Sequence, residues 1–286
     1  MAAIMSGGNL EGRDTPEALA RKALEGDRDA LEKLAESLQA DVFGLALRML
    51  GHREDAEDAA QEILIRIVTR LAQFDFRSRL KTWAYRIAVN YVLDFRKSPA
   101  EKQRRSFRRL EEAIMAGLSP EAPPETERSL VIAEVKAACT LGMLQCLDRP
   151  RRAAYILGEI MELPGPEAAR VLGIAPALFR KRLEQARAAM QAFLKSHCGL
   201  VSDTAPCRCN RLVPRIQQAG ALPAGGMRLA SSEASFAELR ANVRRVEAAR
   251  QALEVHRTTQ PPAASVSFAR RLMAALEVHL GQAGRL

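Results

Sequence analysis

Aromatic residues make up only 5% of this chain of 286 residues, and tryptophan occurs once. Strand formers are correspondingly thin, no segment sustains a two-residue alternation, and the abundant Ala, Leu, Arg and Glu favour helix. No apolar run approaches the roughly eighteen residues that a membrane-spanning helix needs, so no membrane association is expected. The opening MAAIMSGGNLEGRD has neither a basic start nor an apolar core, which excludes a secretory signal and points to the cytoplasm. Cysteines are few and odd in number, five in all, which argues against a disulfide framework. There is no glycine-rich phosphate loop, no H-E-x-x-H and no G-x-S-x-G, and the four histidines are scattered. No catalytic centre is expected, and the chain reads as non-enzymatic. Acid is also in deficit. The formal net charge of +9 points to a polyanionic partner.

Helical periodicity runs almost throughout and no internal repeat is evident, so the expected fold is all-α. A first helical block spans 16–97, with turn signals at Gly51-His52 and at FDFRS, residues 74–78. Residues 98–130 are charged, contain proline and lack core formers, which predicts a linker. A second block covers 131–196, followed by a Cys/His-rich segment at 197–213. The remainder, 214–286, predicts a connector and a helical extension with amphipathic helices near 235–256 and 264–281. In the first of these, Phe236, Leu239, Val243, Val246 and Leu253 share a stripe.

Acid is concentrated where it is least expected. GHREDAEDAAQEILIRI, residues 51–67, gathers Glu54, Asp55, Glu57, Asp58 and Glu62. On a helix over 54–71, Ala56, Ala60, Ile63, Leu64, Ile67 and Leu71 form the apolar stripe. Asp55, Asp58 and Glu62 stack on another face, with Arg66 one turn beyond Glu62. Such a face is either solvated or docks on protein; it cannot grip phosphate. Downstream the sign reverses. Between Arg77 and Arg109 there are eleven Lys or Arg against two acids. On a helix from about Arg79, Leu80, Ala84, Ile87, Tyr91 and Phe95 make the expected buried stripe. Arg79, Trp83, Arg86, Asn90 and Lys97 gather on another flank. Cations interleaved with a ring suit a single strand, with phosphates neutralised and bases stacked; ordinary packing of Trp83 among solubilising charges is the alternative.

LPGPEAARVLGIAPALFRKRLEQARAAMQAFL, residues 163–194, reads as helix-turn-helix. Pro164 and Pro166 open a helix with Ala168, Ala169 and Leu172 inward, and Gly173 takes the turn. Pro176 opens a second helix with Ile174, Phe179, Leu183 and Ala186 inward. That leaves Ala177, Leu178, Arg180, Lys181, Glu184 and Arg187 outward, a face suited to a major groove.

Taken in order, LALRMLGHREDAEDAAQEILIRIV, FDFRSRLKTWAYRIAVNYVLDFRK, the linker and PEAARVLGIAPALFRKRLEQAR resemble bacterial sigma-70 family RNA polymerase sigma factors of the extracytoplasmic-function (ECF) group. The resemblance covers about residues 20–97 and 130–196. It implies a region 2 helical bundle and a region 4 helix-turn-helix, with core RNA polymerase (β′ clamp and β flap) and promoter DNA as partners and an anti-sigma factor as a candidate partner. It also implies that Asp55, Asp58, Gln61 and Glu62 face polymerase. Arg77, Arg79, Lys81, Trp83, Arg86 and Asn90 would hold the minus-ten element, with a base flipped from the stack. Ala177, Leu178, Arg180, Lys181, Glu184 and Arg187 would meet the minus-thirty-five element, and the linker would thread towards the RNA channel. No covalent chemistry is implied and no cofactor is required. Two departures stand out: Phe179 replaces a more usual β-branched residue, and the chain continues for about ninety residues past the second block.

Those ninety residues begin with SHCGLVSDTAPCRCN, residues 196–210. His197, Cys198, Cys207 and Cys209 could hold zinc or another soft ion, although H-C-x8-C-x-C is not a common ligand spacing. A thiol switch, with Arg208 and Arg211 lowering thiol pKa, is a second reading, and inert thiols a third. The fold-back of the tail helices on the DNA-binding blocks would be set by this site. The alternative for the whole chain is a ligand-responsive helix-turn-helix repressor. The central position of the motif and the acidic helix disfavour it.

Overall fold

The computed structural model of the chain describes residues 15–95, 106–120 and 129–218. The two amphipathic helices expected within 235–281 lie outside the described residues. Helix α1 (Pro16–Leu24) starts at Thr15, whose side-chain oxygen accepts from the Ala18 N–H at 3.2 Å. Helix α2 (Arg28–Leu50) is capped in the same way by Asp27, which accepts from the Ala30 N–H at 3.0 Å. It ends at Gly51, where φ is +71° and a Cβ would also run into the Gln145 side chain. Helix α3 (Arg53–Thr69) then packs against α2. Its predicted stripe of Ala56, Ala60, Ile63, Leu64 and Ile67, with Leu71 just beyond, is buried.

Helix α4 (Leu80–Asp94) has no cap of its own. Glu17 of α1 supplies one, its carboxylate accepting from the Leu80 N–H at 2.8 Å. A charged acceptor at a helix N-terminus satisfies an orphan donor and complements the helix dipole. Replacing Glu17 with alanine is expected to cost about 1 kcal/mol and to lower the melting temperature by about 3 °C, read by circular dichroism. The buried face of α4 differs from expectation. Leu80 and Ala84 are buried, but Ile87, Tyr91 and Phe95 are half-exposed, whereas Thr82, Tyr85, Ala88, Val89 and Val92 are covered. The cause is a second neighbour: α4 contacts α8 (Gly165–Leu172) of the second block as well as α2 and α3.

Within the expected linker, residues 107–117 form a helix, α5 (Phe107–Gly117), capped by the Ser106 hydroxyl at 3.3 Å from the Arg109 nitrogen. Phe107, Leu110 and Ile114 lie on one face and pack into the core, and α5 contacts α6 (Ser129–Cys146). Helix α7 (Arg149–Tyr155), capped by Asp148, runs into a π-helical turn at Ile156–Ile160. Helices α8 and α9 (Pro176–His197) form the predicted helix-turn-helix, with Gly173 in the turn at φ +63°. Phe179, Leu183 and Ala186 are buried as expected. Gly158 lets α9 approach, since a Cβ there would stand 2.9 Å from Leu183 Cδ2. Helix α10 (Cys209–Gln218) returns against α5 and α6.

The two blocks share one continuous apolar core. Buried polar groups cross between them. Arg152, 3% exposed, donates to the carbonyls of Met49, Leu144, Gln145 and Leu147. Gln145 Nε2 donates to the Arg48 carbonyl at 3.0 Å. The Arg149 guanidinium donates to the carbonyls of Val92, Leu93 and Phe95, closing the end of α4. The Thr82 hydroxyl donates to the Glu167 carboxylate.

Candidate nucleic-acid interface

A cleft of about 720 Å³ lies between the C-terminal part of α3 and the length of α4 from Trp83 onward. It is lined by Arg66, Arg70, Gln73, Trp83, Arg86, Ile87, Asn90, Tyr91, Asp94 and Phe95. Three arginines, the amides of Gln73 and Asn90 and the Asp94 carboxylate share it with the rings of Trp83, Tyr91 and Phe95, and cations beside rings are the chemistry suited to a base and its phosphate. Trp83 is held against Phe74 at 5.5 Å between ring centroids, and Phe74 against Phe76 at 4.6 Å. Phe76 adopts φ +57°, unusual for a bulky residue, with the Arg21 guanidinium 4.6 Å above its ring. The FDFRS turn is thereby braced from α1 while it braces Trp83.

Of the six residues expected at the single strand, the cleft unites Trp83, Arg86 and Asn90. Arg77 and Arg79 are exposed outside it, and Arg77 pairs with Asp75 at 2.5 Å. Lys81 is bound to Asp41 at 2.7 Å, which turns it towards α2. Seven lining residues lie outside that set: Arg66, Arg70 and Gln73 from the end of α3 and the turn after it, and Ile87, Tyr91, Asp94 and Phe95 along α4 and at its end. Arg66 had shown only as the partner of Glu62. It makes that pair, at 3.0 Å, and also lies 4.5 Å over the Tyr91 ring. Burial, helped by Glu62, raises the Tyr91 pKa, so its hydroxyl remains a donor at neutral pH.

The acidic face lies on the same helix as Arg66. Asp58 is exposed, and Asp55, Gln61 and Glu62 are half-exposed. His52 stands 3.8 Å from Asp55, and Arg53 pairs with Glu57 at 3.0 Å. The outward face of α9 is as expected, with Ala177, Leu178, Arg180, Lys181, Glu184 and Arg187 all exposed. Arg187 is engaged as well. Its Nε donates to the buried Glu159 carboxylate at 2.5 Å, so it anchors α9 to the π-helical turn.

The expected four-ligand set at the cysteines is not assembled. His197 is turned away from it: Nε2 pairs with Glu111 of α5 at 2.9 Å, Nδ1 meets the Phe193 carbonyl, and the ring stacks on Phe193. Among the described residues no group of three or more His, Cys, Asp and Glu side chains stands arranged to hold a metal ion. Cys198 and Cys207 sit side by side through a backbone bridge, Cys209 is buried, and Cys139 of α6 joins them, a neighbour unread from the sequence. None of the five cysteines is in a disulfide. Arg208 and Arg211, which the thiol-switch reading invoked, do act to lower the Cys207 pKa. Burial outweighs both guanidiniums and pushes the Cys207 thiol up to about 12, with Cys139, Cys198 and Cys209 also raised. A thiol raised on folding adds stability below its unfolded pKa, about 8.5, and loses it as pH climbs towards about 12. The stability gap between wild type and Cys207→Ala in urea is expected to narrow between pH 8 and pH 11.

A family profile for sigma-70 region 2 matches residues 34–101, the stretch that carries most of α2, all of α3 and α4. The chain is 31% identical over 185 residues to the RNA polymerase sigma factor NccH of Alcaligenes xylosoxydans, covering 63% of this chain and 95% of that protein. It is 28% identical over 183 residues to the ECF RNA polymerase sigma factor SigW of Bacillus subtilis, covering 61% of this chain and 94% of that protein. A solved structure of CnrH in complex with the cytosolic domain of CnrY matches at 23% identity and a TM-score of 0.45, over 64% of this chain and 97% of that one. The repressor alternative finds no support among these relatives. No described helix is long and apolar enough to cross a membrane. With NccH matched over nearly its whole length and the region 2 profile seated on the acidic helix and the cleft, the chain belongs to the sigma-70 family of RNA polymerase sigma factors, in the ECF group.

Proposed function

We propose that this chain binds core RNA polymerase and directs it to promoters, gripping the minus-ten element as a single strand and the minus-thirty-five element as duplex. The cleft between α3 and α4 carries this reading, because it joins cations, amides and aromatic rings in one place. Trp83 and Tyr91 would stack the base, Arg66, Arg70 and Arg86 would neutralise phosphates, and Asn90 would address a base edge. Arg77, Arg79 and Lys81 would contact the flanking backbone. Asp55, Asp58, Gln61 and Glu62 would meet polymerase, on the other side of Arg66. The exposed face of α9 would enter the major groove, with Arg180 and Lys181 on phosphates or guanine and Glu184 on cytosine; Ala177 and Leu178 would meet thymine methyls and Arg187 the backbone. The reading involves no covalent chemistry, needs no cofactor and places the chain in the cytoplasm, with an anti-sigma factor as a candidate regulator.

Run-off transcription with purified core polymerase on genomic fragments tests it. Discrete transcripts should require the protein, and charge reversal at Asp55 and Asp58 together should weaken polymerase binding at least tenfold while leaving single-strand binding unchanged. Sequence-specific duplex binding by the free chain, with no transcripts, would sink the reading.

A further inference from the structure

The linker helix is held at its start by α9 of the second block and further along by the segment that follows that block. At the start of α5, the Phe107 ring lies 5.1 Å from Phe193, and Glu111 pairs with His197 Nε2 at 2.9 Å. Just past its end, the Ser119 N–H donates to the Arg211 carbonyl at 2.9 Å, and Arg211 Nε donates to the Ser119 carbonyl at 2.6 Å. Gly117 is buried, and a Cβ there would stand 3.1 Å from Arg215 Cγ. Helix α5 therefore belongs mechanically to the second block.

This attachment limits reach. Only residues 96–106, eleven in all, separate Phe95 from α5. Fully extended they span at most about 40 Å. With α5 detached but still helical, residues 96–128 could span about 90 Å. On the function proposed above, on which this inference rests, the two promoter elements lie about 25 base pairs apart, or about 85 Å of duplex. The strapped tether is thus less than half the separation of the two element centres, whereas the released one exceeds it. The blocks are also docked directly through Arg149, Arg152 and Thr82. The strap itself is seated less firmly than the core. Pro214 interrupts the hydrogen bonding of α10, and Asn210 Oδ1 is buried without a hydrogen-bond partner.

We infer that residues 197–218 are a strap that stores the linker, so that the strapped chain can engage one promoter element but not both. Release of the strap is then a step in promoter engagement.

The test uses the full chain with Ser119→Cys and Arg211→Cys, the strap closed by oxidation and verified by mass spectrometry. The locked protein should give at least tenfold fewer transcripts from a two-element promoter, recovered on reduction, with unchanged binding to a minus-ten single strand. Equal transcription by the locked and reduced forms would overturn the inference. If the bridge does not form, Glu111→Gln with Arg211→Ala decides. Hydrogen exchange of 107–117 should accelerate about tenfold while that of 176–190 stays unchanged, and transcription at limiting protein should rise. Unchanged exchange at 107–117 overturns the strap whatever the transcription shows. Absence of transcripts from wild type, with exchange behaving as expected, would instead count against the proposed function.

Discussion

Replacing Arg152 with alanine is expected to destabilise the chain by about 3–5 kcal/mol, lowering the melting temperature by about 10 °C. The side chain is 3% exposed and satisfies carbonyls on both sides of the block boundary, Met49 on one and Leu144, Gln145 and Leu147 on the other. Truncation strands those oxygens in apolar surroundings and leaves a hole where the guanidinium was. Lysine should not rescue it, because one ammonium cannot fan its protons over the plane that a guanidinium covers. The adjacent Arg151 is the control. Its ion pair with Asp148 is 3.5 Å long and its side chain 46% exposed, so alanine there should cost less than about 1 kcal/mol. Equal melting of the two variants would show that the carbonyl cluster does not anchor the docking of the blocks.

The second large effect is expected at Trp83. Alanine in its place should weaken binding of a minus-ten single strand between about 5-fold and 150-fold, the equivalent of about 1–3 kcal/mol of base stacking. Phenylalanine should keep most of the affinity, since the Phe74 contact and a stacking face persist. Arg86→Gln should act differently, flattening the dependence of affinity on salt by roughly one phosphate contact. Fluorescence anisotropy of a labelled strand, with polymerase present and over a salt series, separates the two roles. Trp83→Ala with unchanged affinity and an unchanged melting curve would remove the base from the cleft.

Features fixed by neighbours in the chain were legible from sequence. The apolar stripe of α3 fell where its periodicity placed it, and Gly51, Gly173 and Pro176 mark the turns and the helix start predicted for them. Features made by distant partners were not. Glu17 caps α4 across sixty-three positions, and nothing near Leu80 announces it. The α4 stripe was read as if the helix had one neighbour. Helix α8 meets α4 at Thr82 and α2 meets it at Tyr85, so the covered face turns away from Ile87, Tyr91 and Phe95, which line the cleft. His197 looked like a ligand beside Cys198, yet the helix carries it to Glu111. The candidate site was half legible for the same reason: Trp83, Arg86 and Asn90 share one helix face, whereas Arg66 and Arg70 arrive from α3. The segment 98–130 reads as a plain linker by composition, but Ser106 and three apolar residues suffice for a helix once α6 is there to receive it.

The continuous core joining the two blocks has a practical consequence for handling the protein. A chain nicked by protease between residues 96 and 105 should not fall into two pieces. With polymerase and promoter absent, the fragments should elute together from a sizing column and part in denaturant, because the seam between them is apolar and continuous with both cores. Heating should likewise give one calorimetric peak for intact and nicked protein alike, and the breadth of that peak would report how tightly the two halves are bound to one fate.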